Sequence, residues 1–443
     1  MRLGNASLAQ LDAAVLRPAY ERAGQAVGIV HLGIGAFHRA HQAWYTDLAM
    51  GAGDRDWAIL GVSLRSADVA RQLNPQDGLY TVTERSARGD ATRLIGAVRG
   101  VRVASESREA VIDVIAGATT HIVSLTVTEK GYCRAADGSL DFALAGPASI
   151  YGLIAAALRR RHDTGLPGLT LLSCDNLADN GRQLARLMGD YLQRHDAALH
   201  RWFEYACSCP SSMVDRIVPA TTDADRSALA AGFGVRDEGA VFTEPFSQWV
   251  IEDRFAGPRP RWEAVGATLV SDVRPYESAK LRMLNGAHSM LAYCGLAQGH
   301  EYVHEAINDP PLRELARHLM LHEAAPTLVP APGQDLGRYA QDLMERFANT
   351  ALRHRLIQIA MDGSQKLPQR WLDTLAARQA AGQSCPALEA GVAAWIRHLQ
   401  GANGPVQDPR AAELAAAARS SNPMEALFGP AGLLPSRWIP AQP

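Results

Sequence analysis

The sequence predicts an α/β protein in two parts: a doubly wound parallel sheet over residues 1–273 and a mainly α-helical part over residues 274–443. Three observations predict it. Short apolar or β-branched runs at residues 29–32, 58–63, 122–126 and 169–172 alternate with helical patterns and polar connections, as parallel strands joined by crossover helices do. The first of these runs ends in a glycine turn that opens a helix. Beyond residue 274 strands become scarce and long helical periodicities take over, at 276–296, 311–324, 336–348 and 388–399, which sets the boundary at 272–275. A chain of 443 residues that is 47% hydrophobic has the length for two or three domains and enough apolar side chains to fill a core in each.

In chain order, the first strand runs through Val30, His31 and Leu32 into Gly33 and Gly35. Gly33 permits the tight turn and Gly35 lets the backbone approach a pyrophosphate. The following helix start, with Arg39, offers amide donors and positive charge. His38 stands where the G-x-G-x-x-G pattern wants a small residue, so only two of its three glycines are matched. This is a Rossmann-type opening for a dinucleotide. The second strand, 58–63, ends without an acidic ribose ligand: Asp54 and Asp56 precede it, and Arg65 or Arg71 could meet a 2′-phosphate, which leaves NADP open beside NAD. Asp77 and Gly78 then turn the chain into a further strand at 79–83 that need not join the central sheet. The Ala-rich stretch 411–419 reads as an ordinary helix, and no internal repeat is found.

Charge and composition exclude several classes. A net charge of −2 leaves no footprint for nucleic acid, and Arg159, Arg160 and Arg161 read as a solvated helix terminus. No apolar run approaches the ~20 residues of a membrane helix, and the residues after Arg2 lack the apolar core of a secretory signal. A cytoplasmic protein is expected. Six scattered cysteines suggest reduced thiols. Cys207 and Cys209 lack metal-ligand spacing, and His318 and His322, although i and i+4, lack the Glu of H-E-x-x-H; no metal is expected.

The helical part opens on its most chemical stretch. On an α-helix Glu277, Lys280, Asn285 and His288 fall at about 60°, 0°, 140° and 80°, an arc that one ligand could face. A lysine that loses its proton near neutrality needs desolvation or a neighbouring cation. Asn and His can donate to a carbonyl oxygen as it becomes an alkoxide.

Six ordered blocks carry a resemblance: Gly33, Gly35, Phe37, Arg39 and His41; Thr126, Thr128, Glu129, Gly131 and Tyr132; Ser173, Asp175 and Asn176 with Asn180 and Gly181; Met213, Asp215 and Arg216; Glu244, Gln248, Trp249, Glu252 and Asp253; and Lys280, Asn285 and His288. Together they resemble the long-chain mannitol dehydrogenase family, over about residues 28 to 370. The resemblance implies a metal-independent, NAD-dependent secondary-alcohol dehydrogenase. In it Lys280 would be the general acid and base, Asn285 and His288 would polarise the reacting oxygen, and Glu277 would help move the proton to solvent. Gly33, Gly35, Phe37, Arg39, Glu129 and Lys130 would hold the cofactor, and Asn176 and Asp215 would contact substrate. Asp215 with Arg216 has the alternative of a structural ion pair. Tyr276 with Lys280 also fits the Tyr-x-x-x-Lys signature of short-chain dehydrogenases, but that family has a different glycine turn and places the pair inside the nucleotide-binding domain.

Residues 249–253 and 353–370 resemble the branch that interconverts a ketouronate and an aldonate, of the D-fructuronate to D-mannonate type. A substrate carboxylate calls for a cation, and His354, Arg355, Lys366 and Arg370 cluster there. The alternatives are a polyol 2- or 4-dehydrogenase acting on mannitol and fructose or arabinitol and xylulose, or a catalytically silent dinucleotide-binding sensor. Gln358 stands where some mannitol-specific relatives carry Arg, and the joint presence of Lys280, Asn285 and His288 argues against a sensor. The expected partner is a small sugar acid or polyol, with neither nucleic acid nor membrane, in a monomer or small homo-oligomer.

Overall fold

Alternation along the strands splits their side chains between two cores, and this is what winds helices onto both faces of the central sheet. The computed structural model describes residues 1–440, in two compact units, Met1–Val273 and from Arg274 onward. The first unit holds eleven strands among the described residues: β1 (Val27–Leu32), β2 (Ala58–Ser63), β3 (Tyr80–Ser86), β4 (Gly89–Ile95), β5 (Val98–Val103), β6 (Ile122–Leu125), β7 (Thr170–Ser173), β8 (Ser212–Asp215), β9 (Val241–Thr243), β10 (Gln248–Glu252) and β11 (Thr268–Val270). Five of them form an all-parallel sheet in the order β5-β2-β1-β6-β7. Val30, Leu32, Val123, Leu125 and Leu171 pack into one core with the helices Arg108–Ala116, Ile150–Asp163 and Asn180–His195. Ile29, Ile59, Ile122 and Leu172 pack into the other, with the helices Gln42–Gly51 and Asp68–Leu73. Burying each such side chain contributes roughly 1.5–3 kcal/mol. The strand order reverses between β1 and β6, and ligands of such sheets bind at the carboxyl ends of the strands beside that reversal.

The strand expected at 79–83 lies outside this sheet. It extends to Ser86, pairs antiparallel with β4 and parallel with β9. A third sheet, β11-β10-β8, was not legible in the sequence: its strands are three to five residues long, too short for a period to show. The arginine run departs from expectation as well. Arg159 and Arg160 bind surface carboxylates, but Arg161 is fully buried, its guanidinium donating to the carbonyls of Pro167 (2.8 Å) and Gly117 (2.6 Å).

The second unit is mainly helical. Its centre is the helix Gly286–Ala297, apolar all round and buried on nearly every side, as such a composition requires. The continuous helix expected at 276–296 is interrupted: Arg274–Ala279 is α-helical, Lys280–Asn285 forms a π-helix, and the α-helix resumes at Gly286. Two further π-helical turns, Leu319–Ala324 and Pro368–Leu372, pack against the first. No helix among the described residues is long and apolar enough to cross a membrane. All six cysteines are free thiols, five buried and Cys207 partly so.

Candidate active site

The candidate cofactor site in the first unit is the turn after β1. Gly33 has φ +93, and a Cβ there would lie 2.2 Å from the Thr126 carbonyl oxygen, so the turn requires glycine. Gly35 is exposed, and a Cβ on it would meet nothing nearer than 3.8 Å. That open space lets a phosphate approach the backbone, so the turn fits a dinucleotide. Phe37 stacks on His41 with ring centroids 5.0 Å apart. Arg39 does not present its charge to a pyrophosphate: it is buried, with Nη1 on the Gly239 carbonyl, Nε on the Gly35 carbonyl and its guanidinium over the Tyr80 ring. The amides of Gly33 and Ile34 donate to the Val62 carbonyl and that of Gly35 to the Gly33 carbonyl.

Glu129 and Lys130 are exposed on a single helical turn, Thr128–Gly131, just beyond β6. Asn176 is exposed just beyond β7. The sheet therefore brings Gly33, Gly35, Glu129, Lys130 and Asn176 to the carboxyl ends of neighbouring strands. Asp175, which stands in one of the six blocks without an assigned role, holds this edge in shape: its carboxylate accepts from the amides of Val127 (3.0 Å) and Thr128 (2.9 Å) and from the Tyr132 hydroxyl (3.0 Å). Asp215 is buried at the end of β8, whose Ser212 donates to the Ser173 carbonyl at 2.6 Å. Arg216 pairs with Glu84 and donates to the carbonyls of Ala40 and Glu244. Beyond the end of β2, Arg71 forms an exposed pair with Asp68 on its own helix.

In the second unit the π-helical turn changes the geometry expected of the candidate catalytic side chains. The Gly286 amide bonds back five residues to the Leu281 carbonyl, and a π-helix turns less per residue than an α-helix does. Asn285 thus lies nearer the azimuth of Lys280 than the about 140° of an α-helix, and His288 follows it by three α-helical residues. Glu277, Lys280 and Asn285 are half-buried and His288 is buried. The His288 ring stacks on Phe347 (5.0 Å) and meets His354 edge-on (5.0 Å), while its Nε2 is enclosed without a hydrogen-bond partner. Burial, and then the charges of His354, Arg370, Arg346 and Lys366, hold His288 well below its ordinary pKa. It is a neutral imidazole with one N–H to give.

Those cations were partly foreseen. Arg370 donates to Ser289 Oγ at 2.8 Å and, among the described residues, has no carboxylate within ion-pair distance; burial lowers it to about 10. Lys366, one turn away, donates to the Met361 carbonyl at 2.5 Å and is also lowered, by burial first and then by Arg370. Arg355 does not join them. It is exposed and paired with Glu301 at 2.6 Å. Glu323, beside His318 and His322, accepts from the Ala387 and Leu388 amides at 2.7 and 2.9 Å and so caps the helix Pro386–Leu399. Among the described residues no three His, Cys, Asp or Glu side chains gather where they could hold a metal ion.

The description "Mannitol dehydrogenase Rossmann domain" matches residues 27–264, and "Mannitol dehydrogenase C-terminal domain" matches residues 272–427. The chain belongs to the mannitol dehydrogenase family. It is 42% identical to the D-mannonate oxidoreductase of Escherichia coli K12, over 95% of this chain and 91% of that protein. With the mannitol 2-dehydrogenase of Aspergillus terreus it shares 40% identity, over 96% of this chain and 91% of that one. Among solved structures, this mannitol dehydrogenase family member superposes on the Pseudomonas fluorescens mannitol 2-dehydrogenase ternary complex with NAD and D-mannitol at TM-score 0.83 and 39% identity, covering 95% of this chain and 89% of that one. It matches a D-sorbitol dehydrogenase in substrate-free form at TM-score 0.89 and 33% identity, covering 95% and 91%.

Proposed function

We propose that this protein interconverts a ketouronate and the corresponding aldonate, of the D-fructuronate and D-mannonate type. That it is an NAD-dependent alcohol dehydrogenase acting on a polyol or sugar acid follows from its family; the choice of acid over polyol is the proposal. The observation that carries it is Arg370, a largely desolvated guanidinium with no acid beside it and a second cation, Lys366, one turn away. Leaving such a charge uncompensated is unfavourable unless an anion arrives. A substrate carboxylate answers that need, and a polyol does not. The name borne by the Escherichia coli relative points the same way.

NAD, when bound, supplies the hydride acceptor. The chain's own residues do the rest. Lys280 takes the hydroxyl proton in oxidation and returns it in reduction, while Asn285 and the Nε2–H of neutral His288 donate to the oxygen as charge develops on it. Glu277, one turn before Lys280, passes the proton toward solvent.

The test is a rate comparison with NADH and D-fructuronate, D-tagaturonate, D-fructose and D-xylulose. Fructuronate should show the highest kcat/KM, and Arg370→Gln should lower that value about ten- to hundredfold, the effect of one charge-assisted hydrogen bond of roughly 1.5–3 kcal/mol, with fructose affected much less. A preference of the unmodified enzyme for fructose or xylulose would replace the acid with a polyol.

A further inference from the structure

His31 is a polar side chain in the middle of the apolar β1 strand, with 0% exposure. Its Nδ1 lies 2.8 Å from Oγ of Ser124, its register partner on β6, and its Nε2 lies 2.8 Å from Oγ1 of Thr126. Thr126 Oγ1 in turn donates to the Gly33 carbonyl at 2.8 Å. The chain of contacts thus crosses from β6 to β1 at the point where the strand order reverses, and ends on the glycine turn.

Counting protons fixes its direction. A carbonyl only accepts, so the Thr126 hydroxyl proton goes to Gly33, and Thr126 Oγ1 must receive from a protonated Nε2 of His31. Burial lowers His31 to about 3, so the ring is neutral and its Nδ1 is an acceptor. Ser124 therefore donates to Nδ1 and must itself be met by a donor. Gln42 Oε1 lies 2.7 Å from Ser124 Oγ, while Gln42 Nε2 is buried without a partner. Turning the amide over supplies that donor: Gln42 Nε2 donates to Ser124, Ser124 to His31, His31 to Thr126, and Thr126 to Gly33. His38, stacked on His31 with centroids 3.4 Å apart, keeps the ring from sliding. At the far end the Gly33 carbonyl also accepts the Gly35 amide at 2.6 Å, and the Gly33 amide donates to the Val62 carbonyl at 2.8 Å.

We propose that His31 is a positioning residue for the dinucleotide: acting through Thr126, it holds the Gly33 carbonyl, and with it the turn that receives the pyrophosphate. The inference rests on reading the Gly33 and Gly35 turn as the cofactor site. An open turn could swing its peptide planes and would have to be ordered on binding; a held turn needs no such ordering.

The measurement is the Kd of NADH without sugar substrate, by fluorescence titration, for Thr126→Val, Thr126→Ser, His31→Leu and Gly35→Val. Thr126→Val, which keeps the shape and removes the hydroxyl, should weaken NADH binding about tenfold, the effect of one hydrogen bond. Thr126→Ser should restore it to within about twofold, with the change appearing in the KM of NADH and not in that of the sugar. His31→Leu should weaken binding at least as much as Thr126→Val. Should Thr126→Val fold, lose only thermal midpoint and bind NADH as the unmodified protein does while Gly35→Val does not, the relay is merely structural and the inference falls. Undiminished binding by Gly35→Val would instead overturn the cofactor-site reading itself.

Discussion

Lys280 and Tyr276 sit four residues apart, and two dehydrogenase chemistries would assign the proton to different ones. The π-turn runs from Lys280 to Asn285, whereas Tyr276 lies in the α-helix before it. We expect Lys280→Met to lower turnover at least ~10²-fold, since general acid and base catalysis contributes about that much, with NADH affinity changed little. Tyr276→Phe should remain active. A dead tyrosine variant beside a near-normal lysine variant would reverse the assignment. Some of these residues were legible in the sequence because chemistry-bearing types crowd into one short run; Lys280, Asn285 and His288 are of that kind. Others were not. His31, Ser124, Gln42 and Asp175 act through contacts between residues 40 to 95 positions apart, and spacing carries no sign of such contacts. Arg39 and Arg355 were named from their charge and their place in the resembling segments, and neither says whether a guanidinium turns inward onto carbonyls or outward onto an acid.

At the scale of the element, the parallel strands announced themselves through continuous apolar runs, whereas the π-turns left no trace. A π-turn has no composition of its own, and Lys280–Asn285 mixes charged, polar and apolar residues in a run of only six. Trp371 Nε1 donates to the Gly286 carbonyl at 3.0 Å, joining the end of the Lys280–Asn285 turn to the Pro368–Leu372 turn. Trp371→Phe keeps most of the packing and removes that bond, which should destabilise the second unit by about 0.5–1.5 kcal/mol. We expect a lower thermal midpoint together with a lower kcat, because Asn285 directly precedes Gly286. Turnover unchanged at a lowered midpoint would show that the turn keeps its shape without the bond.

For the whole molecule, the buried imidazoles set the response to acid. His31, at about 3, and His38 and His288, both well below the ordinary value, stay neutral when folded, each because of burial. The unfolded chain takes up protons on the same side chains near 6.5. Their depressed values therefore leave stability intact above about pH 6.5 and erode it as pH falls, by about 1.4 kcal/mol per group per pH unit. Buried carboxylates such as Asp47 and Asp237, raised by burial, offset part of the loss at lower pH still. Scanning calorimetry should find a level midpoint at pH 7 to 8 and a steep fall below 6; a midpoint that climbs on acidification would refute the argument. Activity should also survive exhaustive EDTA or o-phenanthroline, whereas loss on chelation with recovery on adding zinc would reveal a metal role.

The six thiols bear on how the protein can be studied. Burial pushes Cys174 and Cys209 strongly upward, and Cys207, Cys294 and Cys385 to about 11, so almost none is thiolate at neutral pH, and the thiolate is the reactive form. Maleimide dyes should therefore ignore the native chain. One cysteine placed at Val329, which is 84% exposed, would then take a single fluorophore without any of the natural six having to be removed.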